Sequence, residues 1–427
     1  MSKPRVLVVL PTDWDYKQFE VISHEWRDRI DLELAQPSDD DCPWDFDPIE
    51  YIDQMVDRYR GKIDGVTSSS DYPGATIAGA IATRLGLPGS PPDTVIRCSH
   101  KYYSRVAQRE VVPEATPPFH LVDPSVPDGG APDLTYPCFI KPVKGAFSVM
   151  AQKLSSPEEL REFLARPTVQ EFATDYVAIF NRLVARLTDF PVNGSFFLAE
   201  GFLHGTQVTV EGFEQNGSVH ILGIVDSIMH PGTGSFARFD YPSALRPEIL
   251  ERMEEIARRV ISRIGLRSSL FNIEMIYEPA LDDIHIIEVN PRMCGQFGDL
   301  YQKVDGVHGH EVLLALALGE RPRMRRGRGA YAAATSFPLR TFEPVRIERV
   351  PDRERLTEVE ARYPGTLVWW ECSEAQDLVD FTRLEDGGSA RYGVVNLGGQ
   401  SRAEMMEKLG AVIQDLSFSL VPLRPGK

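Results

Sequence analysis

The hydrophobic and polar positions fall into three regimes along the chain. In the first hundred residues, compact apolar runs at Arg5–Leu10, Leu32–Ala35 and Ile63–Ser69 predict strands. Between them, Tyr16–Arg29 repeats Phe19, Ile22 and Trp26 at helical spacing, and Ile49–Arg60 and Thr76–Leu85 also predict helices. Strands alternating with helices predict a parallel sheet covered on both faces. A helix from about Ser99 to Glu110 follows Pro88, Pro91 and Pro92, and residues 111–136 are proline-rich loop and strand fragments. From Tyr136 to Gly319 the pattern is one of strands with two long helices, Thr174–Thr188 and Arg246–Ile264, and a closing helix from about His308 to Ala317. Residues 330–427 read as short strands plus a helix at Arg402–Leu416.

Length and composition narrow the class. A chain of 427 residues holds two to four domains at roughly 100–200 residues each. Hydrophobic and charged fractions of 42% and 25% are those of a globular chain, which excludes a disordered or fibrous one. The net charge of -16 argues against general nucleic-acid binding, which needs a cationic face. No apolar run approaches the ~20 residues of a membrane span. The N-terminal apolar run stops at Pro11, too short for a signal sequence, so a cytoplasmic protein with no membrane partner is expected. Cys42, Cys98, Cys138, Cys294 and Cys372 are scattered without zinc spacing and are expected as reduced thiols. The acidic stretch Ser38–Asp47 reads as a solvated loop, and Arg321–Arg328 as a basic linker, with anion binding the alternative for the latter.

The most informative stretch is residues 271–299. Phe271–Tyr277 and Ile284–Asn290 predict two strands of a hairpin. If Glu278 faces Ile284, Asn272 faces Asn290, Glu274 faces Glu288 and Ile276 faces Ile286; Ile273 with Val289 and Met275 with Ile287 form the core face. Opposed carboxylates are destabilising unless a cation sits between them or they share a proton. Mg²⁺ binds through one or two carboxylates plus substrate phosphates. Asn290 adds a neutral oxygen, and Arg292 stands just beyond the strand end, suited to a transferring phosphoryl group. The alternative is two exposed glutamates on a solvent-facing hairpin.

Two weaker clusters accompany it. In residues 135–154, Lys141 ends a strand and Lys144, Gly145 and Ser148 follow in a small-residue turn whose N–H groups can close over phosphates. In residues 195–213, a link at Gly201–Gly205 joins two strands, a setting for a planar ring between apolar walls. No GxGxxG follows the first strand, so dinucleotide binding by that fingerprint is unsupported.

Order and spacing of the three clusters resemble the ATP-grasp superfamily over about residues 1–320. Ser99-His100-Lys101 and Val111–Phe119 resemble its first phosphate lysine and the turn after it. Phe139-Ile140-Lys141-Pro142 resembles the second lysine, Ala199-Glu200-Gly201-Phe202-Leu203 the adenine hinge, and Glu274 with Glu288-Val289-Asn290-Pro291-Arg292 the metal-binding core and its arginine. The short Lys141–Ser148 loop and the runs 209–226 and 242–275 resemble the carboxylate–amine ligases that join amino acids, L-amino-acid ligases and carnosine synthases among them.

The resemblance implies an α/β chain with an α+β core: a Rossmann-like domain at 1–95, an ATP-grasp core at 96–320 with a lid at about 120–200, and a C-terminal α+β domain at 321–427. It implies ATP held by Lys101, Lys141, Lys144, Ser148, Glu200, Gly201, Phe202, Leu203 and Gln207. Mg²⁺, or Mn²⁺ in its place, would lie on Glu274, Glu288 and Asn290. Lys141 and Arg292 would act in catalysis, with Arg238, His230 and Gly295 toward the substrates. The implied reaction joins a small-molecule acid to an amine through an acyl phosphate, in an enzyme expected as a homodimer. Two departures stand out: Gln207 replaces the ribose glutamate of related ligases, and Arg238, Phe239 and Asp240 stand where many carry a substrate-binding glutamate. A carboxylase or another ligase of the superfamily, and a silent nucleotide sensor, are the rival readings.

Overall fold

The computed structural model describes residues 3–36, 46–131, 133–145, 149–379 and 388–423. Ser148, Cys42 and most of the acidic stretch 38–47 lie outside the described residues. Eighteen strands are described, in chain order β1 (Arg5–Val9), β2 (Asp31–Ala35), β3 (Gly65–Thr67), β4 (Phe119–Val122), β5 (Cys138–Pro142), β6 (Gln152–Leu154), β7 (Phe197–Gly201), β8 (Thr206–Gln215) and β9 (Ser218–Met229). They continue with β10 (Phe236–Tyr241), β11 (Ser269–Glu278), β12 (Asp283–Asn290), β13 (Ala333–Thr341), β14 (Val345–Arg349), β15 (Thr366–Trp370), β16 (Asp377–Leu378), β17 (Ala390–Gly399) and β18 (Ser419–Pro422). No described helix is long and apolar enough to cross a membrane.

Contacts divide the chain into two units. The first comprises residues 1–222, 245–295 and 310–322. It opens on a parallel sheet of order β2-β1-β3, as the strand–helix alternation predicts. Val6–Val9 are fully buried because helices cover both faces, which is why this strand reads as a continuous apolar run. An antiparallel sheet of order β4-β7-β5-β6 packs Ile140, Phe163, Phe197 and Ala199 into its core. A third sheet has the order β12-β11-β8, followed by the start of β9. The helix Pro247–Ile264 presents a buried stripe of Ile249, Met253, Ile256, Val260 and Ile264, begins on a proline and ends at Gly265 in the left-handed region.

The second unit comprises residues 223–244, 296–309 and 323–427. The end of β9 pairs with β10, and β13, β17 and β15 follow in order. Phe337, Leu339, Val368, Val395 and Leu397 form its core with Met405, Val412 and Leu416 of the helix Arg402–Leu416. A three-stranded sheet of order β16-β14-β18 completes it.

Three helices differ from the sequence expectation. Tyr16–Arg29 is two helices, Asp13–Val21 and His24–Arg29, because Ile22 is extended and buried and Ser23 N–H donates to Glu311 Oε1 at 2.9 Å instead of continuing the ladder. Thr174–Thr188 opens as a π turn at Phe172–Tyr176 before the helix Ala178–Leu187. The helix expected from about Ser99 to Glu110 is present as Lys101–Val111, and a further helix that was not expected, Pro92–Ser99, precedes it. His100 is extended between them, fully buried, with its Nε2–H donating to Asn193 O at 3.0 Å.

Burial pushes His100 down from 6.5 to about 4. The unfolded chain therefore binds one more proton than the folded one between these values, and stability falls as pH drops through that window. Urea titrations at pH 7 and pH 4.5 are expected to show this loss, at most about 3 kcal/mol at about 1.4 kcal/mol per pH unit. A His100→Gln chain showing the same pH slope would refute the assignment.

Candidate active site

The chemistry-bearing residues of the first unit gather on the face of the β8–β11–β12 sheet. Strand alternation puts Gln207, Thr209 and Glu211 of β8 on the same face as Asn272 and Glu274 of β11. The register sets Asn272 opposite both Glu211 and Asn290, and Glu274 opposite both Thr209 and Glu288. The expected pairing of the two glutamates is present. Beyond Glu274 it slips by one residue: Met275 faces Ile286 and Ile276 faces His285, rather than Ile287 and Ile286. The cause is a β-bulge at Ile287, and its effect is chemical. The freed Ile287 carbonyl accepts from Lys141 Nζ at 2.9 Å and from Arg105 Nη2 at 2.7 Å.

Four cations surround the pair. Lys101 Nζ lies 3.2 Å from Glu288 Oε2 and donates to Gly145 O at 3.0 Å. Lys141 Nζ is 2.7 Å from Glu200 Oε2. Arg105, fully buried, reaches Glu200 Oε1 at 2.5 Å and Ile286 O at 2.8 Å. Arg292 makes one long contact, to Met293 O at 3.5 Å. Burial and the adjacent Glu288 charge push Glu274 well above the usual carboxylate range. Burial acts the same way on Glu288, but Lys101 and Lys141 outweigh it and hold Glu288 low. The two carboxylates thus resist being charged together, as two anions without a cation between them do.

The donor set fits a hard divalent ion. Glu274 and Glu288 offer oxygens from opposite strands, and Asn290 Nδ2 donates to Glu288 Oε1 at 3.1 Å, which leaves the Asn290 carbonyl oxygen as a third donor. Among the described residues no cluster of three or more His, Cys, Asp or Glu side chains forms a cage. Two carboxylates and an amide suit Mg²⁺ or Mn²⁺ that completes its shell with phosphate and water, not a site enclosed by protein.

Several expected contacts are made differently. The Glu200 side chain is committed to Arg105 and Lys141, leaving its backbone for any ring edge. Gln207 Nε2 donates to Glu274 Oε2 at 3.0 Å and so orients that carboxylate. Lys144 is buried, with Asp71 Oδ2 at 2.8 Å and the rings of Tyr72 and Phe180 at 5.6 and 5.5 Å, which takes it out of an open phosphate turn. Past Gly201, Phe202 lies beside Lys153 at 4.9 Å and His204 at 4.7 Å, with Leu203 between Phe202 and His204 in the chain. Gly205 has φ +137°, and a Cβ there would lie 2.1 Å from Tyr277 O, so the hinge must close on a glycine. Gly295 packs on Trp14 and its carbonyl accepts from Gln18 Nε2 at 3.0 Å. Arg238 and His230 belong to the second unit, where Arg238 Nε is 3.1 Å from Asp240 Oδ2 and His230 meets Phe342 edge-on at 5.0 Å.

Three residues of the cluster escape sequence reading. Arg105 follows Lys101 by one helical turn, a spacing that would have placed it on the same face. Glu211 accepts from Asn272 Nδ2 at 2.9 Å and from the Cys294 N–H, and its alternation with Gln207 was the available signal. Asp71 lies just beyond the carboxyl end of β3, where parallel sheets bind ligands.

Residues 134–299 match the family described as the ATP-grasp domain. A comparison with curated protein sequences returns no match. Among solved structures, an L-amino acid ligase from Bacillus licheniformis aligns with TM-score 0.77 at 17% identity, covering 99% of this chain and all of that one. Phosphoribosylglycinamide synthetase from Anaerococcus prevotii aligns with TM-score 0.68 at 14% identity, covering 99% of this chain and all of that one. A biotin carboxylase from Campylobacter jejuni aligns with TM-score 0.65 at 12% identity, covering 99% and 93%.

Proposed function

We propose that this chain, which carries an ATP-grasp domain and the ATP-grasp fold, is an ATP-dependent ligase that joins a small carboxylic acid, an amino acid or a related acid, to an amine. The opposed pair Glu274–Glu288, ringed by Lys101, Lys141 and Arg292, supports this above all. Opposed, half-buried carboxylates cost stability, and a divalent cation carrying phosphates is the ligand that relieves that cost.

In this reading Glu274, Glu288 and Asn290 would hold one or two Mg²⁺, which when bound neutralise the phosphate charge of ATP. Lys101 and Lys141 each keep a donor for phosphate oxygens beyond those used within the protein. The Gly201–Leu203 backbone takes the base edge. The acid carboxylate attacks the γ-phosphorus, the bond to the β-phosphate oxygen breaks, and ADP and an acyl phosphate result. The amine then attacks the acyl carbon, phosphate leaves, and an amide forms with loss of a proton. Arg292 stabilises the charge that develops at the carbonyl oxygen. Positioning and charge neutralisation supply most of the rate.

Purified protein with MgATP is expected to release phosphate only when a suitable acid and amine are both present, and to stop on chelation by EDTA. Bicarbonate-dependent release would instead mark a carboxylase. Tight ATP binding without turnover across a broad panel of acids and amines would mark a sensor.

A further inference from the structure

The carboxylates of the first unit are held in different ways. Glu288 has Lys101 at 3.2 Å, Glu200 has Arg105 and Lys141, and Asp71 has Lys144 at 2.8 Å. Among the described residues Glu274 makes no ion pair, and its one hydrogen bond comes from a neutral group, the Gln207 amide, at 3.0 Å on Oε2. The contact runs diagonally across the sheet. Thr209 stands directly opposite Glu274 without bonding to it, while Gln207 stands opposite Ile276, the next residue on that face of β11. A diagonal neighbour in a sheet is within reach of a long side chain.

The neutrality of that donor has a chemical consequence. Carboxylates that ligate a metal are themselves hydrogen-bonded by outer groups, which set their orientation. A lysine at position 207 would also fix Glu274, but its charge would repel a cation beside it. A glutamate there would set a third negative charge against Glu274 and Glu288, and could bond Glu274 only by sharing a proton. An amide restrains the carboxylate and adds no charge. Glu274 therefore offers a cation its full negative charge, whereas Glu288 already shares its own with Lys101.

We propose that Gln207 is a positioning residue for a divalent metal: it holds Glu274 in place for the ion and takes no part in recognising the nucleotide sugar. This rests on the metal assignment within the ligase reading. It gives a different task to the residue that the family resemblance sets against the sugar.

Mn²⁺ binding tests this without turnover. The paramagnetic resonance signal of free Mn²⁺ is followed as the ion is titrated into the full chain, with a saturating non-hydrolysable ATP analogue. Gln207→Met keeps the length of the side chain and removes the donor. It is expected to weaken Mn²⁺ binding by about tenfold or more, the usual cost of losing an outer-shell partner. Gln207→Lys restores a donor but adds a positive charge, and is expected to weaken binding at least as much. The preference for ATP over analogues lacking either sugar hydroxyl, measured by competition at saturating Mg²⁺, is expected to be the same in the unmodified chain and in Gln207→Met. If Gln207→Met does not melt cooperatively, Gln207→Asn, whose amide is a methylene too short, carries the same comparison. Mn²⁺ affinity unchanged in the Met or Lys variant overturns the proposal, and so does a sugar preference that disappears in Gln207→Met. Mn²⁺ behaviour as expected, but no phosphate release with any acid and amine, overturns the ligase reading and leaves the role of Gln207 standing. No Mn²⁺ binding by the unmodified chain overturns the metal assignment, and this proposal with it.

Discussion

Glu288→Ala is expected to abolish ATP-dependent phosphate release, a loss on the order of 1,000-fold or more, while the chain stays folded. In the proposed ligase Glu288 would hold the metal, and losing such a carboxylate removes several kcal/mol of transition-state charge stabilisation, each 1.4 kcal/mol being about tenfold in rate. Stability follows a different balance. Glu288 stands opposite Glu274 and pushes that group's protonation upward, so its removal relieves a repulsion. Against that, Lys101 loses its partner at 3.2 Å but keeps the Gly145 carbonyl. The melting temperature is expected within a few degrees of the unmodified chain, by calorimetry without nucleotide. Full turnover by the variant would refute the metal assignment. A collapse of the fold would show the glutamate pair to be structural.

Arg105→Ala is expected to have the opposite profile, with a large cost in stability. The guanidinium is buried and satisfies Glu200 Oε1, the Gln108 side chain and the Ile286 and Ile287 carbonyls together. Burial raises Glu200, but Arg105 and then Lys141 overcome it and keep that carboxylate ionised. Removing one partner of a buried ionic network costs about 3–5 kcal/mol, because a charge stays behind without compensation. At a few degrees per kcal/mol, the melting temperature should fall by roughly 10 °C. Arg105→Lys should lie between, since a point charge can meet Glu200 but cannot fork to two carbonyls. A melting temperature unchanged in Arg105→Ala would mean that Lys141 alone compensates Glu200.

The contrast between these two positions marks what was legible in the sequence. Glu274, Glu288, Asn290 and Arg292 could be placed because a hairpin is local and its period of two residues sorts faces. The same reasoning failed beyond Glu274, since nothing in an apolar run distinguishes Ile286 from Ile287 as the residue that bulges. Lys141 was legible as a strand-end lysine, and Lys101 through the resemblance carried by Ser99-His100-Lys101. Lys144 was assigned to an open turn, but its partner Asp71 lies 73 residues away and its aromatic walls come from elsewhere in the first unit. Arg105 meets Glu200 across 95 residues, a pairing that no local periodicity encodes. The helix breaks at Ser23 and His100 have the same origin, for each backbone or ring there is claimed by a distant group, Glu311 or Asn193.

The bulge at Ile287 bears on what mutation can reach. What Lys141 and Arg105 grasp there is a peptide carbonyl, and every amino acid supplies one. Substituting the Ile287 side chain leaves that acceptor in place, so an alanine at Ile287 does not reveal the anchor although two cations converge on it. Only a change in the chain itself would reach it: an ester linkage in place of the amide would weaken the carbonyl as an acceptor, and a deletion that restores regular pairing would remove it. Part of this site is thus written in backbone geometry and tolerates drift in the residue that carries it.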